Sequence, residues 1–203
     1  REDTHPANEN VRRIGFWFIL NNIGAAAWLI VWTKGWIPAS AGLILFQLLT
    51  LIIIHLRLNI HDPHGKTDAK IFTQFPLSIY FGWLTIATIA NISVYLLASG
   101  WKGFGLNYSP IEWTRIMIGI AVFLTALVIF TRRNVFFGLV IIWALYGIIL
   151  KRESLNAAVY ADIIKTARIG LGIVAACCII QFLLNIRAKK KLPSFPQPAS
   201  SAK

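Results

Sequence analysis

Tyr80, Trp83 and Asn91 form the most suggestive group of side chains in this 203-residue sequence. With Pro76 and Ala87 they recur at intervals of four, three, four and four residues, which keeps them on one stripe of an α-helix. A phenol hydroxyl, an indole and an amide on one stripe can hydrogen-bond and stack, which is recognition chemistry and not catalysis. Asn91 lies deep inside an apolar run, where an unpaired amide is costly, so it must face protein, water or a polar group of a ligand. An interhelical hydrogen bond and a ligand-lining role both meet that requirement.

A second stripe, Trp17, Asn21, Gly24, Trp28 and Trp32, repeats the aromatic-amide mixture nearer the N-terminus. Asn21 and Trp28 are its ligand-binding candidates, facing Tyr80, Trp83 and Asn91 across a cavity. Its alternative reading makes Trp17 and Trp32 interface anchors and Gly24 a point of close helix approach. His55, at the end of another apolar run, is a possible axial ligand for haem iron or chlorophyll magnesium. His61, Asp62 and His64 stand in a Pro-Gly loop that reads as a solvated turn, so no metal site is assigned.

All these residues belong to, or adjoin, long uncharged runs. The chain is 57% hydrophobic and 14% charged, well outside the soluble globular range. Runs of roughly 20 apolar residues are membrane-crossing length. The fold class expected is therefore all-α, a polytopic transmembrane helical bundle with spans near 14–33, 36–56, 73–98, 110–131, 134–150 and 163–186. A polar N-terminal arm (1–13) and a basic Pro/Ser-containing tail (187–203) flank it, and Leu155 to Ile164 is expected along the membrane interface. Ser109-Pro110-Ile111-Glu112 is a capping box with proline at the first helical position, so a helix starts there. Gly172 with Ala176, and Ala121 with Thr125, have the spacing of close helix contacts.

Charge and composition exclude several function classes. The formal net charge is +12, yet Lys and Arg stand at the ends of apolar runs and build no basic, aromatic-interleaved face, so nucleic acid is not a partner. Thirteen of the 20 fall in the arm, the 57–70 loop, the Arg132-Arg133 turn and the tail, which puts both termini on the cytoplasmic side or its organellar equivalent. Trp32, Trp36, Trp101 and Trp113 fall towards the opposite interface. All eight acidic residues lie in arms, loops or span ends, which argues against a proton relay or ion-coupled transporter. No catalytic spacing of Ser, His and Asp occurs inside a span, so the chain reads as non-enzymatic. Cys177 and Cys178 are adjacent and form no staple. The sequence opens on Arg1 and not Met, so a preceding segment is expected.

Tyr80-x2-Trp83-x7-Asn91, with small Ala87 and Ala90 between, resembles the last helix of the TspO/MBR family, the tryptophan-rich sensory proteins. Over roughly residues 14–98 the chain looks like a divergent and extended relative, with the last three spans outside the resemblance. The resemblance implies a small membrane bundle that binds a hydrophobic ligand, such as a porphyrin, a chlorophyll-type pigment or a lipid. Tyr80, Trp83 and Asn91 are the residues it carries over. Membrane lipid is the expected partner. The competing expectation is an accessory subunit of a respiratory or photosynthetic membrane complex, with other membrane subunits ordering the arm and tail.

Overall fold

The computed structural model describes residues 12–60, 73–101 and 108–190. The His61, Asp62 and His64 loop, Gly103 and Gly105, the first residues of the arm and the tail beyond 190 lie outside the described residues. Among those described are six long helices: α1 (Trp17–Thr33), α2 (Ile37–Leu58), α3 (Phe75–Ala98), α4 (Pro110–Arg132), α5 (Val135–Asn156) and α6 (Ala161–Lys190). Five of them, α2 to α6, are long and apolar enough to cross a membrane, and α1 is a shorter apolar helix of 17 residues. The chain is an integral, multi-pass helical bundle.

Local chemistry sets the ends of these helices. Gly35 and Gly100 adopt φ of 71° and 72°, and the Gly35 N–H bonds the Trp32 carbonyl at 3.0 Å, closing the tight α1–α2 hairpin. The Ser109 capping box is formed in full: the Ser109 hydroxyl accepts from the Glu112 N–H (3.2 Å), and the Glu112 carboxylate accepts from the Ser109 N–H (2.8 Å). Arg133, at φ 50°, ends α4, and Asn134 starts α5 by accepting the Phe137 N–H at 3.2 Å. The segment Leu155 to Ile164, expected along the interface, comprises the end of α5 at Asn156, a four-residue turn and the start of α6. Helix propensity through Lys151-Arg152-Glu153 carries α5 past the end of its apolar run, with Glu153 paired to Arg168 of α6 at 2.6 Å.

Two groups of helices meet at one seam. In the first, α1 packs on α2 and α2 on α3, around Ile44, Leu51, Ile54, Leu77 and Leu84. In the second, α4 and α5 pack on α6, around Ile129, Phe137, Ile141, Leu145, Ile163 and Val174. The joint between them is α3 against α5. Small residues let the backbones close there: a Cβ on Gly82 would lie 2.9 Å from Val140 Cβ and 3.1 Å from the Phe137 carbonyl. A Cβ on Gly138 would collide with Cys178 Sγ and come within 2.7 Å of Ile129 Cδ1. Ala121 and Thr125 are buried inside the bundle, whereas Gly172 and Ala176 face outward; on α6 the close approach is made at Gly170, against Val122. The inner face of α6 runs through Ile163, Ala167, Gly170 and Val174, and Gly172 lies on its far side.

Gly82→Ala should therefore destabilise the protein by about 1–3 kcal/mol, because the new methyl meets the Phe137 backbone and the stiff, β-branched Val140. Gly147 has open space where a Cβ would go. Gly147→Ala should be neutral or stabilising by up to ~1 kcal/mol through helix propensity. Thermal unfolding of both variants in one detergent checks the contrast, and equal shifts would refute the close seam.

Candidate functional site

Asn21 is the most fully used polar side chain in the bundle. It is 1% exposed, and its amide nitrogen donates to the Gln47 carbonyl (2.8 Å) and to Thr50 Oγ1 (2.7 Å) on α2. Its carbonyl oxygen accepts from the Tyr80 hydroxyl on α3 at 2.6 Å. Thr50 in turn donates to the Gln47 carbonyl (2.8 Å), and the Gln47 amide reaches back to the Gly24 carbonyl at 3.4 Å. Three helices are thereby joined through one amide. Gly24 makes this possible, since a Cβ there would sit 3.1 Å from Gln47 Cγ and from the Phe46 ring. The stripes on α1 and α3 do meet, but at Asn21 and Tyr80 they meet by direct hydrogen bond and not across a cavity.

Asn91 makes a second junction one helix further along. The Ser40 hydroxyl donates to the Ile37 carbonyl (2.8 Å) and shares that proton with Asn91 Oδ1 (3.2 Å), which links α2 to α3. The Asn91 amide nitrogen is buried without a hydrogen-bond partner among the described residues, as is Trp28 Nε1. Trp28 stacks on Trp32 at 5.8 Å and packs against the α2–α3 core. Trp17 lies at the other end of α1, with the Arg57 guanidinium 5.6 Å from its ring centre.

Trp83 does not join them. It is 49% exposed and turns away from Tyr80 and Asn91, its ring 5.7 Å from Trp143 of α5. At about 100° per residue, Asn91 falls some 20° from Tyr80 on the helix wheel while Trp83 falls about 60° to the other side. The buried arc of α3 begins at Tyr80 and runs through Asn91, Leu84, Leu77 and Thr88 to Gly82. Trp83 and Pro76 lie beyond its edge. The stripe read from the sequence is real but straddles the rim of the buried surface, so its members serve different surroundings.

The polar group that the stripes do not account for is His55. Its ring packs on Phe81 at 4.6 Å and its Nδ1 lies 2.9 Å from the Leu51 carbonyl. A carbonyl only accepts, so Nδ1 carries the proton in that bond and Nε2 of the neutral ring holds the lone pair. Nε2 is buried and has no partner among the described residues. His55 lines a crevice of about 50 Å³ with Ile52, Leu56, Ile60, Phe81, Val128, Arg132 and Asn134. Those residues come from α2, α3, the end of α4 and the cap of α5. The crevice exists because α2 and α4 both lean on the α3–α5 seam and make at most marginal contact with each other.

Comparison with known proteins bears on this arrangement. A family model described as TSPO-like protein matches residues 2–181. The chain belongs to the TSPO-like family. The match runs well beyond the 14–98 that the Tyr-Trp-Asn motif covers, so α4, α5 and most of α6 belong to the family pattern and are not an extension of it. No curated protein and no solved structure gives a significant match. A haem or chlorophyll macrocycle, for which His55 is the candidate axial ligand, does not fit the crevice beside it. An apolar cavity that takes benzene measures about 150 Å³. Drug-sized ligands occupy about 300 Å³ or more. About 50 Å³, with Phe81 stacked on the imidazole, leaves no room for a macrocycle over His55.

The Asn21 junction predicts a strong coupling. Asn21→Ala removes an acceptor and two donated bonds and should cost about 1–3 kcal/mol. Tyr80→Phe, losing one bond, should cost about 0.6–2 kcal/mol. In a double-mutant cycle read by thermal unfolding, the double variant should be less destabilised than the sum of the singles. Strict additivity would show that the bond carries no energy.

Proposed function

We propose that this TSPO-like chain is a non-enzymatic membrane protein that binds a hydrophobic, chain-shaped ligand, a lipid acyl chain, in the crevice between α2, α3, α4 and α5. The observation that carries this reading is the crevice itself, walled by Ile52, Leu56, Ile60, Phe81 and Val128. Its residues on α2 extend from Ile52 to Leu56, about 6 Å at 1.5 Å per residue, and Ile60 follows just past the helix end. A crevice of about 50 Å³ seats only a few methylenes, so it suits a short segment of a hydrocarbon chain whose remainder lies in the bilayer, whereas a macrocycle cannot enter in part. The aromatic-amide junction on α1 to α3 supports the reading indirectly. Asn21 has both its amide hydrogens and its oxygen in use, so a ligand could bind there only by breaking those bonds. The excess of Lys and Arg on the side of the termini supports a cytoplasmic or equivalent location for both ends, and for the mouth of the crevice near Ile60 and Arg132.

Native mass spectrometry of the protein purified in a mild detergent tests the proposal. The parent protein should carry a bound phospholipid that survives activation sufficient to strip the micelle. Val128→Trp and Ile52→Trp, each filling the slot, should lose it while unfolding within a few degrees of the parent. A parent protein without retained lipid, or slot-filling variants that retain it as well as the parent, would sink the reading.

A further inference from the structure

We infer that the crevice is selective for a phospholipid with an anionic headgroup, and that Arg132 is the residue that reads the charge. This rests on the chain-binding reading above and adds to it the class of headgroup. The polar members of the lining are His55, Asn134 and Arg132, and their bonding is unequal. His55 Nδ1 is committed to the Leu51 carbonyl. Asn134 accepts the Phe137 N–H through Oδ1 and donates through Nδ2 to Ser78 Oγ at 2.9 Å, so it is occupied in holding α5 to α3. Arg132 has no carboxylate within ion-pair distance among the described residues. The two ion pairs found there, Arg115 with Asp162 and Arg168 with Glu153, join α4 and α5 to α6 at the opposite end of the bundle.

The position of this arginine matches an amphiphile. Both α2 and α4 run towards the end of the bundle that carries the termini, so Ile52 and Val128 lie deeper while Ile60, Arg132 and Asn134 stand at the mouth. An apolar slot capped at its outer end by an exposed guanidinium presents hydrocarbon to a chain and a planar double donor to a phosphate. Basic pockets between helix ends on the positive side of a membrane protein are where anionic headgroups gather. Arg57 and Arg133 lie at the same end of the bundle and raise the local potential further. A competing role for Arg132 is to offset the partial negative charge at the C-terminus of its own helix. That role requires a cation but no lipid, and it makes no distinction among headgroups.

The experiment offers the purified protein equal amounts of phosphatidylglycerol and phosphatidylcholine with matched chains, and reads the ratio of the two retained adducts by native mass spectrometry. The parent should enrich phosphatidylglycerol about fivefold. Arg132→Gln should bring the ratio close to one while still retaining lipid, and Arg132→Lys should keep most of the preference. Arg115→Gln, a change of the same charge at the other end, should leave the ratio unchanged. Inorganic phosphate at millimolar concentration should not displace the adduct, since it lacks the chain. Retention of both lipids without preference in the parent overturns the headgroup assignment alone, as does an unchanged ratio in Arg132→Gln. Retention of neither lipid overturns the chain-binding reading beneath it.

Discussion

An amide that enters a bilayer has to bring its partners with it, and the pairing of Asn21 is the constraint on which the first half of this protein depends. Backbone groups in a helix satisfy one another, but a side-chain amide brings two N–H donors and an acceptor oxygen, and hydrocarbon supplies a partner for none of them. Asn21 finds them on two helices at once, the Gln47 carbonyl and Thr50 on α2 and the Tyr80 hydroxyl on α3. Lipid tails give apolar helices no reason to prefer one another over the surrounding membrane. Register among α1, α2 and α3 therefore falls to the polar junctions, Asn21 at one level and Ser40 with Asn91 at another. Gly24 permits the closeness that these short bonds require.

The second half achieves its register by shape. Around Phe137, Ile141 and Leu145 the side chains are apolar, and the fit is fixed where Gly82 meets the Phe137 backbone and where side chains of neighbouring helices press onto Gly138 and Gly170. One polar tie crosses the seam, Asn134 to Ser78, and it acts at the start of α5, where the helix needs a cap in any case. A second tie closes the far side, with the Gln181 amide donating to Asn185 (2.8 Å) and Asn185 donating to the Arg133 carbonyl (3.2 Å). Because α3 and α5 are drawn so close, the helices flanking the seam cannot also meet. The gap left between α2 and α4 is a geometric consequence of the glycine-mediated contact, and it is where His55 and Arg132 come together.

Much of this was legible in the sequence, for identifiable reasons. Spans are marked by the intervals between charges, and the start of α4 by Ser109 and Glu112, since both signals are local. Asn21, Tyr80 and Asn91 stood out because buried amides and phenols are few and must be paired. Two things were not legible. Helical spacing reports that residues share a stripe, but not where the stripe lies relative to the neighbouring helices, so Trp83 falls on the stripe of Tyr80 and Asn91 although it sits across the rim. The crevice joins Ile52, His55 and Phe81 to Val128 and Arg132, more than 45 positions apart in the chain. No periodicity links such residues, because the contact depends on how far two helices are held apart by a third. Asn134 had a partial signal, an asparagine directly after two arginines at a helix boundary, which is cap chemistry.

The same accounting of valences separates structure from recognition in this bundle. A side chain whose donors and acceptors are all satisfied by protein holds the fold, and asking it to bind a ligand means exchanging one bond for another at little net gain. Asn21, Thr50 and Asn134 are of this kind. A residue positioned on a lipid-facing arc, such as Trp83 against Trp143, is available to the membrane but has no enclosed surface to give. A group with unused capacity beside unfilled space is of another kind, and the crevice holds two: a histidine with one nitrogen unpartnered and an arginine with no carboxylate in ion-pair reach among the described residues, on the edge of an apolar slot. The aromatic-amide stripes drew attention because their residue types are unusual inside a membrane. The bond between Asn21 and Tyr80 leaves those two little to offer a ligand, and the proposed binding chemistry falls instead to less conspicuous residues around the crevice.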